Sequence, residues 1–293
     1  MSRPITYYQV DVFTEIPFSG NGLTIFPLEQ EMAASQMQVI TREMRQFESI
    51  FVRQRSDNQF DARVFTMEEE LTFAGHPALG AAAQLHDLHR PAEQEAQWTL
   101  NFPSKAIPVS TKRTSYGYEA SMNQGKAVFG KILSVAEGLS FLDALQISPE
   151  DLDERYPCRV VSTGLPYLII PLKNNFLSAA IGARGLSAML EQTGAQFMGL
   201  LDVNGRSIRT GDNLGNVEDI ATGSLVGPAG AYLVQYGIAR PGEEIAITQG
   251  QNMDRESRLH VRVEEDVYVR GGVVLVAEGR LFTSPGHRKH ISH

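Results

Sequence analysis

The sequence predicts an α+β protein of two similar lobes that face a small anionic ligand between them. Two glycine-centred segments carry this expectation: Gly75-His76-Pro77-Ala78-Leu79-Gly80 and Ala221-Thr222-Gly223-Ser224-Leu225-Val226-Gly227-Pro228. Each opens an Ala-rich, helix-like run, residues 81–85 and 229–233. A glycine turn entering a helix exposes backbone N–H groups at the positive end of the helix dipole, which suits a small anion. The turns lie 148 positions apart (Gly223 minus Gly75) in a chain of 293 residues, and a second landmark recurs at 144 (Gly164 minus Gly20). Two landmarks at nearly one offset point to an internal duplication.

Residues 7–13 alternate as a strand, and Gly20-Asn21-Gly22 turns the chain into another over residues 23–26. Ser35 reads as the N-cap of a helix that carries Met37, Ile40, Met44 and Phe47 at helical spacing. The apolar strand Ile50-Phe51-Val52 follows at once. Residues 61–66 alternate again, and Leu71-Thr72-Phe73 feeds the first glycine turn. Strands continue over 98–102 and 107–110. The polar stretch from Lys112 to Gly117 has no hydrophobic period and reads as a linker. The expected lobes are therefore 1–117 and 118–284, with a flexible tail over 285–293 and a last strand free to return to the first lobe.

The second half restarts the theme. Residues 159–170 read as strand, glycine turn, strand, and 186–193 as a helix. The second glycine turn and its helix come next, then strands around 259–263 and 273–276.

Composition narrows the function. With 42% hydrophobic and 20% charged residues the chain has the make-up of a soluble globular protein. A net charge of −8 without a basic stripe argues against nucleic-acid binding. No apolar run approaches the ~18–20 residues of a membrane helix. The N-terminal residues enter a strand-like alternation with no signal-peptide core, so a cytoplasmic protein is expected. The single cysteine, Cys158, excludes an internal disulfide and any multi-cysteine metal site. Neither glycine segment has the spacing of a P-loop or of a dinucleotide fingerprint, so no nucleotide cofactor is indicated.

Several residues are candidates for chemistry. Glu48 stands at the junction of the helix and the Ile50-Phe51-Val52 strand, between Phe47 and Ile50. A carboxylate in apolar company is desolvated, which raises its pKa toward a range where it both takes and gives protons; a solvated helix-end glutamate is the plainer alternative. His76 sits at a helix N-terminus, where the dipole favours neutral imidazole, and a backbone-bonded turn histidine is its alternative. One of Glu218 and Asp219 is a candidate second carboxylate facing Glu48. Thr222, Gly223 and Ser224 offer hydroxyls and N–H donors, with helix capping as the alternative. Glu68-Glu69-Glu70 reads as a solvated turn, and His86 with His89 as a surface helix face rather than a metal site. His287, His290 and His293 allow at most weak adventitious metal binding.

The chain resembles the phenazine-biosynthesis isomerase family (PhzF-like) of the diaminopimelate-epimerase superfamily. The resemblance rests on Pro17-Phe18-Ser19-Gly20-Asn21, Met37 through Arg42-Glu43-Met44 to Glu48, and Phe65-Thr66 with Glu70 leading to Gly75-His76-Pro77. It continues through Ser162-Thr163-Gly164-Leu165-Pro166, Glu218-Asp219-Ile220-Ala221-Thr222-Gly223-Ser224, and Gln249-Gly250 with Arg255, Ser257 and Arg258. It implies two lobes, each a curved sheet wrapped around a central helix, with the active site in the cleft between them. It also implies that Glu48 moves a proton between carbons of a small carboxylate-bearing substrate. His76 and Asp219 would share the proton network, and Ser224 with the N–H groups near Gly75 and Gly223 would hold the carboxylate. No metal or organic cofactor is implied, and a homodimer is. The cysteines of the superfamily's epimerases fall at Ala74 and Thr222 here, so two-thiol racemisation is excluded. Ile220 and Gly22 stand where the family has Pro, Arg45 where Asn is common, and Phe47 and Ser49-Ile50 replace smaller polar residues. A carboxylate-binding protein without activity, and an epimerase or lyase working through carboxylates, are the competing expectations.

Overall fold

The structure is a computed structural model that describes residues 4–173, 176–181, 185–211 and 217–282. The expected tail and its three histidines lie outside the described residues.

The first half runs β1 (Ile5–Val12), β2 (Asn21–Leu28), α1 (Ala34–Met44), β3 (Glu48–Ser56), β4 (Gln59–Phe65), β5 (Glu70–Leu71), α2 (Gly75–His89), β6 (Glu95–Asn101), β7 (Ala106–Arg113) and β8 (Tyr118–Gly125). The second runs β9 (Val128–Ile132), α3 (Val135–Ala144), β10 (Arg159–Ser162), β11 (Pro166–Leu172), α4 (Leu186–Thr193), β12 (Phe197–Asp202), β13 (Ser207–Arg209), α5 (Gly223–Gln235), β14 (Glu244–Gln249), β15 (Ser257–Val263) and β16 (Val267–Leu281). The halves repeat one plan. β2 and β3 are parallel neighbours joined through α1, as β11 and β12 are joined through α4. Each pair then leads to a helix that opens on a glycine.

Strand pairing explains how these helices are enclosed. Neighbours run β1-β2-β3-β4-β6-β7-β8-β16, and β16 pairs back onto β1, which closes a ring. α2 lies inside that ring, packed on β1, β2, β3, β6, β7, β8 and β16. From β16 the sheet continues β15-β14-β13-β12-β11-β10-β9 and curves around α5. The apolar faces of both helices are buried almost from end to end. A helix that is apolar all round needs such a sheath. α+β is thus the class observed.

Several local expectations are corrected. Lys112 and Arg113 finish β7, and 114–117 form a hairpin turn in which Thr114 N donates to Gly117 O at 2.9 Å. The stretch is polar because Lys112, Arg113 and Ser115 are exposed at a hairpin, not because it links lobes. β8, beyond the expected boundary at 117, completes the first ring. Ser35 lies inside α1 while Ala33 holds the N-cap, and α1 stops at Arg45 in the left-handed region (φ 54°), leaving Phe47 outside the helix. Glu70 is held by Arg63 through two bonds of 2.7 and 2.6 Å rather than solvated. His86 is fully buried between Thr111 Oγ1 (2.8 Å) and Glu93 O (3.2 Å), whereas His89 alone is exposed.

Candidate active site

Glu48 opens β3, and strand alternation sets its direction. Glu48, Ile50 and Val52 share one face; Ile50 and Val52 belong to the core around α2, whereas Phe51 packs in the cluster beside α1. Glu48 is therefore turned inward and is buried at 6% exposure. Phe47, expected to shield it, is 36% exposed. The strand and not the helix end removes the carboxyl from water.

The two glycine turns touch. A Cβ on Gly75 would lie 3.7 Å from Ser224 N, and one on Gly223 would lie 3.7 Å from His76 N. That approach brings the N-termini of α2 and α5 together. Ala74 and Thr222 are the N-cap residues of these helices.

His76 Nδ1 stands 3.5 Å from Glu48 Oε2. This is no ion pair. Burial lowers His76 to about 3, so the imidazole is neutral for that reason rather than through the helix dipole alone. Burial raises Glu48 to about 8, and the Asp219 charge adds to the rise. Glu48 Oε2 and His76 Nε2 are both buried without a hydrogen-bond partner among the described residues. Orphaned polar atoms of this kind are uncommon in a folded interior.

Asp219 is treated differently. Burial pushes its pKa up, but donors pull against that rise: Thr222 Oγ1 at 2.6 Å, Asn21 Nδ2 at 3.0 Å, and the N–H groups of Ala221 and Ile220. Hydrogen bonds to a carboxylate favour its charged form. Those donors favour the ionised form of Asp219, whose charge adds to the burial that raises Glu48. Glu218, the other candidate, turns away to Arg209, which donates to it at 2.7 and 2.9 Å.

Thr222 does not cap α5 with its side chain. Its hydroxyl is committed to Asp219, and Gln249 locks the turn by accepting from Thr222 N (2.9 Å) and donating to Asp219 O (2.8 Å) and Thr222 Oγ1 (3.0 Å). Thr222 thus orients the carboxylate instead of offering a donor to the cleft. Ser224 Oγ is 2.7 Å from the hydroxyl of Tyr167, whose ring is stacked on Phe197. Asn21, Gln249 and Tyr167 were not singled out as site residues. For Asn21 the signal was the Gly20-Asn21-Gly22 turn. Gly20 has φ +68°, and a Cβ there would meet Val12 O at 2.4 Å, so the turn that aims Asn21 requires glycine. Arg255 secures the same turn from the other half, donating to Gly20 O (2.9 Å) and Asp11 Oδ1 (2.8 Å).

Cys158 lies in a separate core cluster, its thiol pushed up to about 12 by burial, and takes no part in the site. Among the described residues no group of three or more His, Cys, Asp or Glu side chains is placed to hold a metal ion, and no helix is long and apolar enough to cross a membrane.

The family profile described as Phenazine biosynthesis-like protein (PhzC-PhzF) matches residues 10–279. The trans-2,3-dihydro-3-hydroxyanthranilate isomerase of Pseudomonas chlororaphis is 31% identical over 264 residues, 88% of this chain and 90% of that protein. An uncharacterized isomerase of Pasteurella multocida is 29% identical over 300 residues, 98% of this chain and 97% of that one. Among solved structures, a Pseudomonas aeruginosa protein described as a predicted epimerase superposes with a TM-score of 0.90 at 47% identity, covering 97% of this chain and 100% of that one.

Proposed function

Since the chain belongs to the phenazine biosynthesis-like family, whose members include isomerases, we propose that it is a cofactor-independent isomerase that moves a proton between carbons of a small carboxylate-bearing substrate. The observation that carries this reading is the inward-facing carboxyl of Glu48, raised to about 8 and with Oε2 unpartnered. A group of that pKa exchanges protons readily near neutrality.

In its ionised form Glu48 takes a proton from a carbon conjugated with the substrate carboxylate. The electron pair left behind spreads into that carboxylate, which Ser224 Oγ and the N–H groups of the two touching glycine turns hold. Donors fixed before the charge develops stabilise it without reorganising. Glu48, now protonated, returns the proton to a different carbon of the same conjugated system, so no electron is gained or lost. His76, neutral and 3.5 Å away, offers Nδ1 to the Glu48 proton and keeps Nε2 for the substrate. Asp219, whose ionised form Asn21 and Thr222 favour, adds to the burial that keeps the Glu48 pKa high. Two-thiol chemistry is closed to this chain, because alanine and threonine occupy the N-caps.

The test is NMR in D₂O with trans-2,3-dihydro-3-hydroxyanthranilate and a panel of related unsaturated cyclic carboxylates. The parent is expected to form a double-bond isomer of at least one compound, with deuterium or returned proton on carbon. Glu48→Gln keeps the shape but not the base and should lose about 10²–10⁴-fold in rate. Turnover by Glu48→Gln within a few-fold of the parent would show that another group moves the proton. Binding without any isomer or carbon-bound deuterium would leave a carboxylate-binding protein as the reading.

A further inference from the structure

A cavity of about 200 Å³ opens beside Ser224, lined by residues of both halves. Ile107 and Met122, both buried, and the half-buried Phe73 and Leu165 give it apolar surfaces. Most polar side chains around it are already committed. Gln124 donates to Gly223 O at 2.8 Å and accepts from Thr163 Oγ1 at 2.8 Å. Asn123 donates to Asp266 at 2.8 Å, and Ser104 to Thr72 O at 3.0 Å.

Lys105 differs from these. Its ammonium lies 4.2 Å from the centroid of the Phe73 ring and has no carboxylate partner among the described residues. Phe102 meets Phe73 edge-on at 5.3 Å, so the ring is a fixed wall. The outer side of Lys105 is open to solvent, yet partial desolvation lowers its pKa. A cation left over an aromatic face beside an apolar cavity lacks the anion that would balance it.

We infer that the substrate bears a second carboxylate, which Lys105 receives while Ser224 and the glycine turns hold the first. This rests on the carboxylate site proposed above and extends it to a substrate class, small dicarboxylates with an apolar body between the two acid groups. The hydroxyls of Thr163 and Ser104 already donate elsewhere, so the ammonium is the charged donor left to meet that carboxylate. The apolar floor of Ile107 and Met122 receives the body.

Calorimetric titration of benzoate and the three benzene dicarboxylates into the parent, Lys105→Met, Lys105→Arg and Ser224→Asp tests this. Lys126→Met, which removes an exposed cation paired with Glu265, controls for net charge. At least one dicarboxylate should bind the parent roughly tenfold more tightly than benzoate, the size of one charge-assisted hydrogen bond. Lys105→Met should erase that preference with little change for benzoate, Lys105→Arg should retain most of it, and Lys126→Met should leave it intact. Equal affinity of the parent for one and two carboxylates, or an undiminished preference in Lys105→Met, overturns the inference while the first carboxylate site stands. Benzoate binding by Ser224→Asp as tight as by the parent, or no saturable binding of any of the four probes, overturns that site and the inference together.

Discussion

The hydroxyls of Tyr167 and Ser224 stand 2.7 Å apart, one on β11 and the other on the second residue of α5. Tyr167 is buried, and its phenol is pushed above the ordinary range first by burial, with the charges of Asp219 and Glu48 adding to the rise. It therefore stays protonated at every pH at which the protein works. A phenol that keeps its proton can donate to Ser224 Oγ, which leaves the serine proton free to point at an anion. In the proposed carboxylate site the pair would make a helix-start serine a directed donor.

Tyr167→Phe keeps the ring on Phe197 but removes the donor. Carboxylate binding should weaken about 2–10-fold, the value of one ordinary hydrogen bond. Titration of benzoate measures this. Unchanged affinity would mean that Ser224 is oriented by something else.

Glu218 and Asp219 are neighbours in sequence with opposite duties. Glu218 neutralises Arg209, whose side chain is 5% exposed and also donates to Phe176 O and Ala179 O. Glu218→Ala would leave a buried guanidinium without its counter-charge, a change that costs about 3–5 kcal/mol. Chemical denaturation should show that loss, while proton exchange per folded molecule stays within a few-fold of the parent. A variant of parental stability would show that Arg209 finds water or another acceptor there.

The elements that carry the site were legible because their signals are local. The glycine turns, the helices they open and the alternating strands around Glu48 follow from spacing and residue type over a few positions. Glu48, His76 and the Glu218-Asp219 pair were candidates by the same local reading, and the family resemblance singled out Asp219. The hydrogen-bond partners around the site did not come from that reading, because they lie far away in sequence: Asp219 is joined to Asn21 across 198 positions, and Tyr167 to Ser224 across 57. The reason Glu218 turns away is Arg209, which no spacing rule connects to the turn. Ring closure by β16 and β8 is long-range too, which is why the polar hairpin at 114–117 looked like a linker. His86 looked like a surface residue because α2 is enclosed as far as His86 and exposed only beyond it, an enclosure the helix period does not reveal.

The pH dependence of stability isolates Glu48. Its carboxyl titrates near 4.5 when the chain is unfolded and at about 8 when folded, so between those values the native state binds more protons than the unfolded one. Stability must then fall as pH rises through that window, with the contribution intact below about 4.5 and lost above about 8. His76 acts at the other end: lowered to about 3 in the fold, it favours the neutral form and removes stability as pH falls below the ordinary imidazole range. Glu48→Gln deletes the first dependence and keeps the second. The variant should therefore gain on the parent as pH is raised from 5 to 9, by up to a few kcal/mol, since each pKa unit corresponds to about 1.4 kcal/mol. Burial raises Asp219 in both proteins, so its own titration is common to the two denaturation curves and their difference reports Glu48. A parent-minus-variant difference that stays flat from pH 5 to 9 would show that Glu48 titrates as an ordinary glutamate, and a carboxylate of ordinary pKa would be too weak a base for the proton transfer assigned to it.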